Sequence, residues 1–227
     1  MRVERMDLTL FIGNKAYSSW SARPWLLMKA LDIPFAENVV PLYLEDSRAK
    51  MLVVAPTGKV PALSVRPSGR SRDADGFAVW DSLAIVEFLH EHFPEKNIWP
   101  RDAEQRARAR SLCAEMHSGF QGLRQACPTN FRRAPRTTPL DIDESARENL
   151  ARIEAIFSQA EGPFLFGAYG AADAYFTPIA SRIATYRLPL AEKARATCDA
   201  LLAHPAFAAW RDGAAKESWI IERWENL

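Results

Sequence analysis

Three serines, Ser18, Ser19 and Ser21, crowd the stretch NKAYSSWSARPW, which follows an apolar run and precedes a helical one. One hydroxyl suffices to cap a helix, because a serine side chain accepts from backbone N–H groups that the first turn leaves unpaired. A surplus hydroxyl there stands in the positive field of a helix N-terminus, where it can serve a ligand. In GKVPAL, Pro61 opens a strand. Proline donates nothing to a sheet ladder and belongs at a strand entrance or edge. A cis Val60-Pro61 bond would expose the N–H and C=O of Val60 to an extended, peptide-like ligand. In VWDSLAIVEF, Asp81 and Ser82 open a helix whose free N–H groups and Ser82 hydroxyl suit a carboxylate. Together the three stretches describe a peptide-binding groove with a hydroxyl at one end. Each has a plain structural alternative: a turn former, a trans strand-entry proline, an ordinary helix start.

The elements that must position these residues are legible from periodicity. LTLFIG (Leu8 to Gly13) reads as a buried strand, and SARPWLLMKALD places Trp25, Leu26, Met28 and Leu31 on one helical face. Pro24 is expected in the first turn, which puts the helix start between Ser19 and Ser21. A strand AENVVPLYL, a helix EDSRAKMLVVA, a strand VPALSV, a charged turn RPSGRSRDADG, a strand FAVW and a helix DSLAIVEFLHEHF follow. The order β-α-β-α-β-β-α predicts an α/β unit with parallel and antiparallel pairing in one sheet. Pro94, Asn97 and Pro100 then punctuate a connector, after which AEQRARARSLCAEMHSGFQGLRQA, DESARENLARIEAIFSQA and the very apolar AADAYFTPIASRIATYRL read as long helices. Two more helical segments close the chain. The expected domains are 7–93, α/β, and 102–227, all-helical.

The 29 basic and 28 acidic residues balance to a net charge of +1, which gives no electrostatic reason to expect nucleic acid or an anionic membrane as partner. The N-terminal apolar run is too short for a signal or spanning segment. Cys113, Cys127 and Cys198 form no C-x-x-C pair and are odd in number, so a reducing, cytoplasmic setting is expected. The segment after the first strand holds no cysteine, which argues against thiol-disulfide exchange. No metal site is expected: His90 and His92 lie on different faces of a helix, and His117 has no recognisable ligand partners and reads as structural.

The order strand, YSSWS, GKVPAL, WDS, connector, helices resembles the cytosolic glutathione S-transferase family over essentially the whole chain. That resemblance implies a thioredoxin-like first domain, an all-α second domain, a homodimer and glutathione as co-substrate, with detoxification as the setting. SSWS is similar to the SSxS segment of serine-type classes, the zeta class among them, whose first serine is catalytic; here that is Ser18. Carried over, Val60 and cis-Pro61 hold the cysteinyl backbone, Asp81 and Ser82 the γ-glutamyl end, and Lys59 the glycyl carboxylate. Tyr17 is the rival activator, since other classes use a tyrosine near the first strand. Trp20 is assigned to shielding the site and Trp25 to the core. Met116, Phe120 and Arg124 either line a hydrophobic substrate site of the second domain or pack against the first. FGAYGAADAYF resembles the family's helix-capping box with Asp173, but Gly170 replaces the capping Ser or Thr, so a looser helix start is expected. The implied activity is thiol transfer to an electrophile, with a zeta-like, maleylacetoacetate isomerase-like cis-trans isomerase or a non-catalytic interaction module as alternatives. The charged turn and the QRARARSL helix are candidate dimer surfaces.

Overall fold

The structure, a computed structural model, describes residues 6–68 and 76–225. Its first layer is a four-stranded sheet of order β2-β1-β3-β4, built from β1 (Met6–Ile12), β2 (Ala36–Val39), β3 (Ala62–Pro67) and β4 (Phe77–Trp80). β1 pairs parallel with β2 and antiparallel with β3, and β3 pairs antiparallel with β4. Strand alternation puts Leu8, Leu10 and Ile12 on the buried face, with Leu10 opposite Leu63 and Leu8 opposite Val65. Helices α1 (Ser19–Ala30), α2 (Ser47–Leu52) and α3 (Ser82–His92) interleave with these strands in the expected order. This is a thioredoxin-like α/β unit, and α4 (Ala103–Ser118), α5 (Gln121–Ala126), α6 (Glu144–Phe157), α7 (Ala171–Tyr186), α8 (Glu192–Ala203), α9 (Pro205–Ala215) and α10 (Glu222–Glu225) follow it. Among the described residues no strand occurs after β4. The arrangement is the glutathione S-transferase fold.

One hydrophobic core runs from the sheet through α1 into the helices. α1 buries Trp25, Leu26, Leu27 and Met28, and it packs on both α7 and α9. α7 is buried along almost its whole length, which matches its apolar sequence and makes it the central helix of the second layer.

α1 starts at Ser19, within the expected range, but Pro24 does not lie in its first turn. Ser18 is the N-cap, its hydroxyl accepting from the Ser21 N–H at 3.2 Å, and Pro24 lies in the second turn. There Pro24 removes the bond that the Trp20 carbonyl would otherwise accept. The second strand is shorter than AENVVPLYL implies, because Pro41 has no N–H and the Leu42 N–H turns to the Asn14 side chain at 2.8 Å. The expected long helix from Ala103 breaks at Gly119 and Phe120: Phe120 has a φ of 61°, and a Cβ on Gly119 would lie 2.9 Å from the Glu115 carbonyl oxygen. The C-terminal region adds a short third helix, α10, to the two expected. Most of the charged turn, 69–75, lies outside the described residues.

Gly170 caps α7 without a side chain. The return half of the box is intact: the Asp173 carboxylate accepts from the N–H groups of Gly170 and Leu165, both at 2.9 Å. A Cβ at Gly170 would stand 3.1 Å from the Ile98 carbonyl oxygen and 3.2 Å from that of Asn97. The glycine thus lets the connector press against the start of α7, where the Ala171 N–H donates to Ile98 at 2.9 Å. That start is fastened rather than loose.

Candidate functional site

Two neighbouring hollows share Trp20 as a wall. The first, a cleft of about 430 Å³, is bordered by Lys59, Val60, Pro61, Asp81, Ser82 and Trp20. The chain enters β3 through a cis Val60-Pro61 bond, and Asp81 adopts a φ of 76° between β4 and α3. The Asp81 carboxylate caps α3 by accepting from the Leu83 N–H at 2.8 Å, and its residue stays exposed at the cleft. Ser82 borders the same cleft but is fully buried, and its hydroxyl accepts from Tyr175 at 2.9 Å. Its own proton remains to donate.

His117 is the residue in this cleft that the sequence did not reveal. Its Nε2 lies 3.4 Å from Asp81 Oδ2, its Nδ1 has no hydrogen-bond partner, and its ring stands edge-on to Trp20 at 4.9 Å. Burial holds its pKa below the ordinary histidine value against the pull of Asp81.

The second hollow, about 440 Å³, is lined by Tyr17, Ser18 and Trp20 from the first layer and by Arg124 and Arg182 from the second. Ser18, 5% exposed, donates to Ser21 Oγ at 2.8 Å, and Ser21 Oγ accepts from the Gly13 N–H at 3.0 Å. Each hydroxyl has one proton and two lone pairs, so this pair can reverse. Ser21 then donates to Ser18 and leaves the Ser18 proton for a ligand. The first amides of α1, at Ser19 and Trp20, add the positive end of the helix to the same spot.

Tyr17 is differently placed. Its hydroxyl donates to Glu225, accepts from Arg132, and accepts from the Ile221 N–H at 3.3 Å. Its ring lies 5.5 Å from that of Trp224. Burial and the Glu225 contact raise its pKa, so it is a poorer source of anion than a free tyrosine.

Of the remaining candidates, Arg124 lines the second hollow, while Met116 and Phe120 are packed in the core and border neither hollow. Phe120 sits against Phe176 at 6.4 Å, the packing alternative rather than the substrate one. Trp25 is 4% exposed, between Phe35 and Trp210. His92 Nδ1 bonds the Phe88 carbonyl at 2.8 Å.

Residues 17–92 match the family model of the glutathione S-transferase N-terminal domain. A probable maleylacetoacetate isomerase of Caenorhabditis elegans is 33% identical over 46% of this chain and 44% of its own length. The matches thus span under half of that relative, but a maleylacetoacetate isomerase of Pseudomonas aeruginosa is 27% identical over 88% of this chain and 93% of its own. The maleylacetoacetate isomerase of Anaeromyxobacter dehalogenans, solved with GSH bound in its active site, superposes with a TM-score of 0.68 at 26% identity, covering 95% of this chain and 100% of that one. Residues 17–92 thus match a glutathione S-transferase N-terminal domain, and the whole chain shares the glutathione S-transferase fold.

Proposed function

We propose that the Val60–Asp81 cleft binds glutathione as co-substrate and that Ser18 activates its thiol toward a small electrophile in the adjoining hollow. The observation that carries this reading is the meeting of Lys59, Val60, Pro61, Asp81 and Ser82, from two separate stretches, on one cleft whose Trp20 wall also borders the Ser18 hollow. In this reading the backbone of Val60 pairs with the cysteinyl unit, Asp81 and Ser82 hold the γ-glutamyl end, and Lys59 takes the glycyl carboxylate. Glutathione supplies the thiol. A free thiol has a pKa of about 8.5, so only a few per cent is ionised at neutral pH. A hydroxyl donated from Ser18, at the N-terminus of α1, favours the thiolate without Ser18 losing its own proton.

The activity we infer is that of a glutathione transferase, with residues 7–93 as the glutathione-binding domain and 102–227 completing the acceptor site. A homodimer in the cytoplasm is the assembly and setting that fit it. The names of the relatives favour a second outcome, glutathione-dependent cis-trans isomerisation, which needs the same thiolate. Incubation with glutathione and either an aryl halide or a cis-enedione, followed by NMR, separates the two: conjugate from the first marks the transferase, trans product from the second the isomerase. Failure to be retained on immobilised glutathione would count against both and favour an interaction module.

A further inference from the structure

Tyr175 joins the helical layer to the cleft through a single buried bond. It lies on α7 with no exposed surface, and its hydroxyl donates to Ser82 Oγ at 2.9 Å. Its place is set by the start of that helix. Asp173 holds the N–H groups of Gly170 and Leu165, the Ala171 N–H donates to Ile98, and the Thr177 hydroxyl donates to the Asp173 carbonyl at 2.7 Å. The turn that carries Tyr175 is thus tied on both sides. Ser82 opens α3 and borders the cleft. Behind the pair lies Arg23, 1% exposed, its guanidinium stacked between the ring of Trp20 at 4.1 Å and that of Tyr175 at 4.7 Å. Its Nη2 donates to the Met116 carbonyl at 3.4 Å, whereas Nε and Nη1 have no hydrogen-bond partner.

Two hydroxyls can bond in either direction, and here the surroundings choose one. The phenol is the stronger acid and the poorer acceptor of the two. A cation over the face of its ring draws electron density from the oxygen, which strengthens donation by the O–H. Burial raises the Tyr175 pKa and Arg23 draws it back only in part, so the phenol keeps its proton. With Tyr175 donating to Ser82 Oγ, the serine proton is left for the cleft. A bond donated into a hydroxyl also polarises it, making it a better donor to an anion.

We propose that Tyr175 is a positioning residue for the γ-glutamyl carboxylate of glutathione: it holds Ser82 with its proton facing the cleft, so that α7 helps set glutathione affinity without touching the ligand. This rests on the assignment of the Val60–Asp81 cleft to glutathione. The effect appears on binding, because water can serve the Ser82 oxygen in the open cleft, whereas in the loaded cleft Tyr175 is its donor.

The test is calorimetric titration of the full chain with glutathione and with γ-aminobutyryl-cysteinyl-glycine, the analogue that lacks the γ-glutamyl carboxylate. Tyr175→Phe should weaken glutathione about three- to tenfold, the range of one neutral hydrogen bond, and leave the analogue unchanged. In the Ser82→Ala background the same substitution should have no further effect on glutathione. Tyr175→Met serves as a second variant should the first not fold. A merely structural tie between the layers gives a different pattern: Tm falls while both ligands weaken alike or neither does, and either result overturns the proposal. Additive losses in the double variant overturn it as well. Glutathione failing to bind the unsubstituted chain sinks the cleft assignment and the proposal together, whereas glutathione binding that Tyr175→Phe does not alter sinks the positioning role alone.

Discussion

Replacing Ser18 by alanine should raise the pKa of the bound glutathione thiol and leave glutathione affinity nearly unchanged. A hydrogen bond to a charged group contributes about 1.5–3 kcal/mol, and each pKa unit corresponds to about 1.4 kcal/mol, so the shift expected is roughly one to two units. The same substitution removes the cap of α1, because Ser18 Oγ also accepts from the Ser21 N–H. That loss is about 1 kcal/mol, which for a chain of this size lowers Tm by about 2–4 °C. The two effects separate by assay: ultraviolet absorbance of the thiolate against pH reads the first, and thermal unfolding reads the second. Tyr17→Phe is the control. It deletes a hydroxyl already bonded to Glu225 and Arg132, and those two side chains remain paired with each other at 2.9 Å. The thiol pKa should not move. Should Tyr17→Phe raise it while Ser18→Ala leaves it in place, Ser18 is only a cap and the assignment is refuted.

Four further outcomes are expected. Glu217 accepts from the N–H groups of Lys15 at 2.6 Å and Ala16 at 3.0 Å, so Glu217→Ala should cost about 2–3 kcal/mol in denaturant titration, and turnover should fall as the Ser18 turn loosens. Gly170→Ser, which restores the family's capping hydroxyl, should lower Tm rather than raise it, because its Cβ presses on the Asn97 and Ile98 carbonyls; a gain in Tm would refute that steric reading. Burial raises Asp173 to about 6 in the folded state, above its ordinary 3.8, so its contribution to stability is fully present below pH 3.8 and is lost as pH rises through 6. That loss is roughly 3 kcal/mol, and the slope of stability against pH between 4 and 6 should flatten in Asp173→Asn; parallel slopes would refute it. Sedimentation at micromolar concentration should give a dimer mass, and a monomer alone would rule out the homodimer.

The element order up to α3 was legible because each segment there carries its own period and its own punctuation, such as Pro61 at the mouth of β3 and Asp81 before α3. The Val60–Asp81 cleft was legible in part for the same reason: Lys59, Val60, Pro61, Asp81 and Ser82 sit in two short local motifs. The hollow beside Ser18 was not. Arg182 lies inside a helix whose apolar run reads simply as core, and Thr129 lies in a loop of no pattern. His117 read as a structural histidine because nothing local signals that the end of α4 lies beside the start of α3. The break between α4 and α5 was hidden because a lone glycine inside a helical pattern is often tolerated. Pro24 misled in the other direction, since tertiary packing of α1 overrode a propensity that on its own would end or begin a helix there.

Equally invisible to local pattern are the residues that act on the Ser18 turn from far along the chain. The turn is closed locally by the Asn14 carbonyl, which accepts from the N–H groups of Tyr17 at 3.1 Å and Ser18 at 2.9 Å. It is then fastened from outside: the Ala16 carbonyl accepts from the Phe131 N–H at 2.8 Å, and Glu217 holds the amides of Lys15 and Ala16. The Tyr17 ring and hydroxyl are clasped by Trp224, Glu225 and Arg132. A hydroxyl that must meet a sulfur atom within hydrogen-bond reach gains little from a helix N-terminus that can drift, because misplacement weakens the bond steeply. The thioredoxin-like domain alone lacks these outer tethers, since Phe131, Arg132, Glu217 and Glu225 all belong to the second. In the reaction proposed at Ser18 the second domain would therefore contribute twice, once by lining the hollow beside it and once by fastening the turn that carries it.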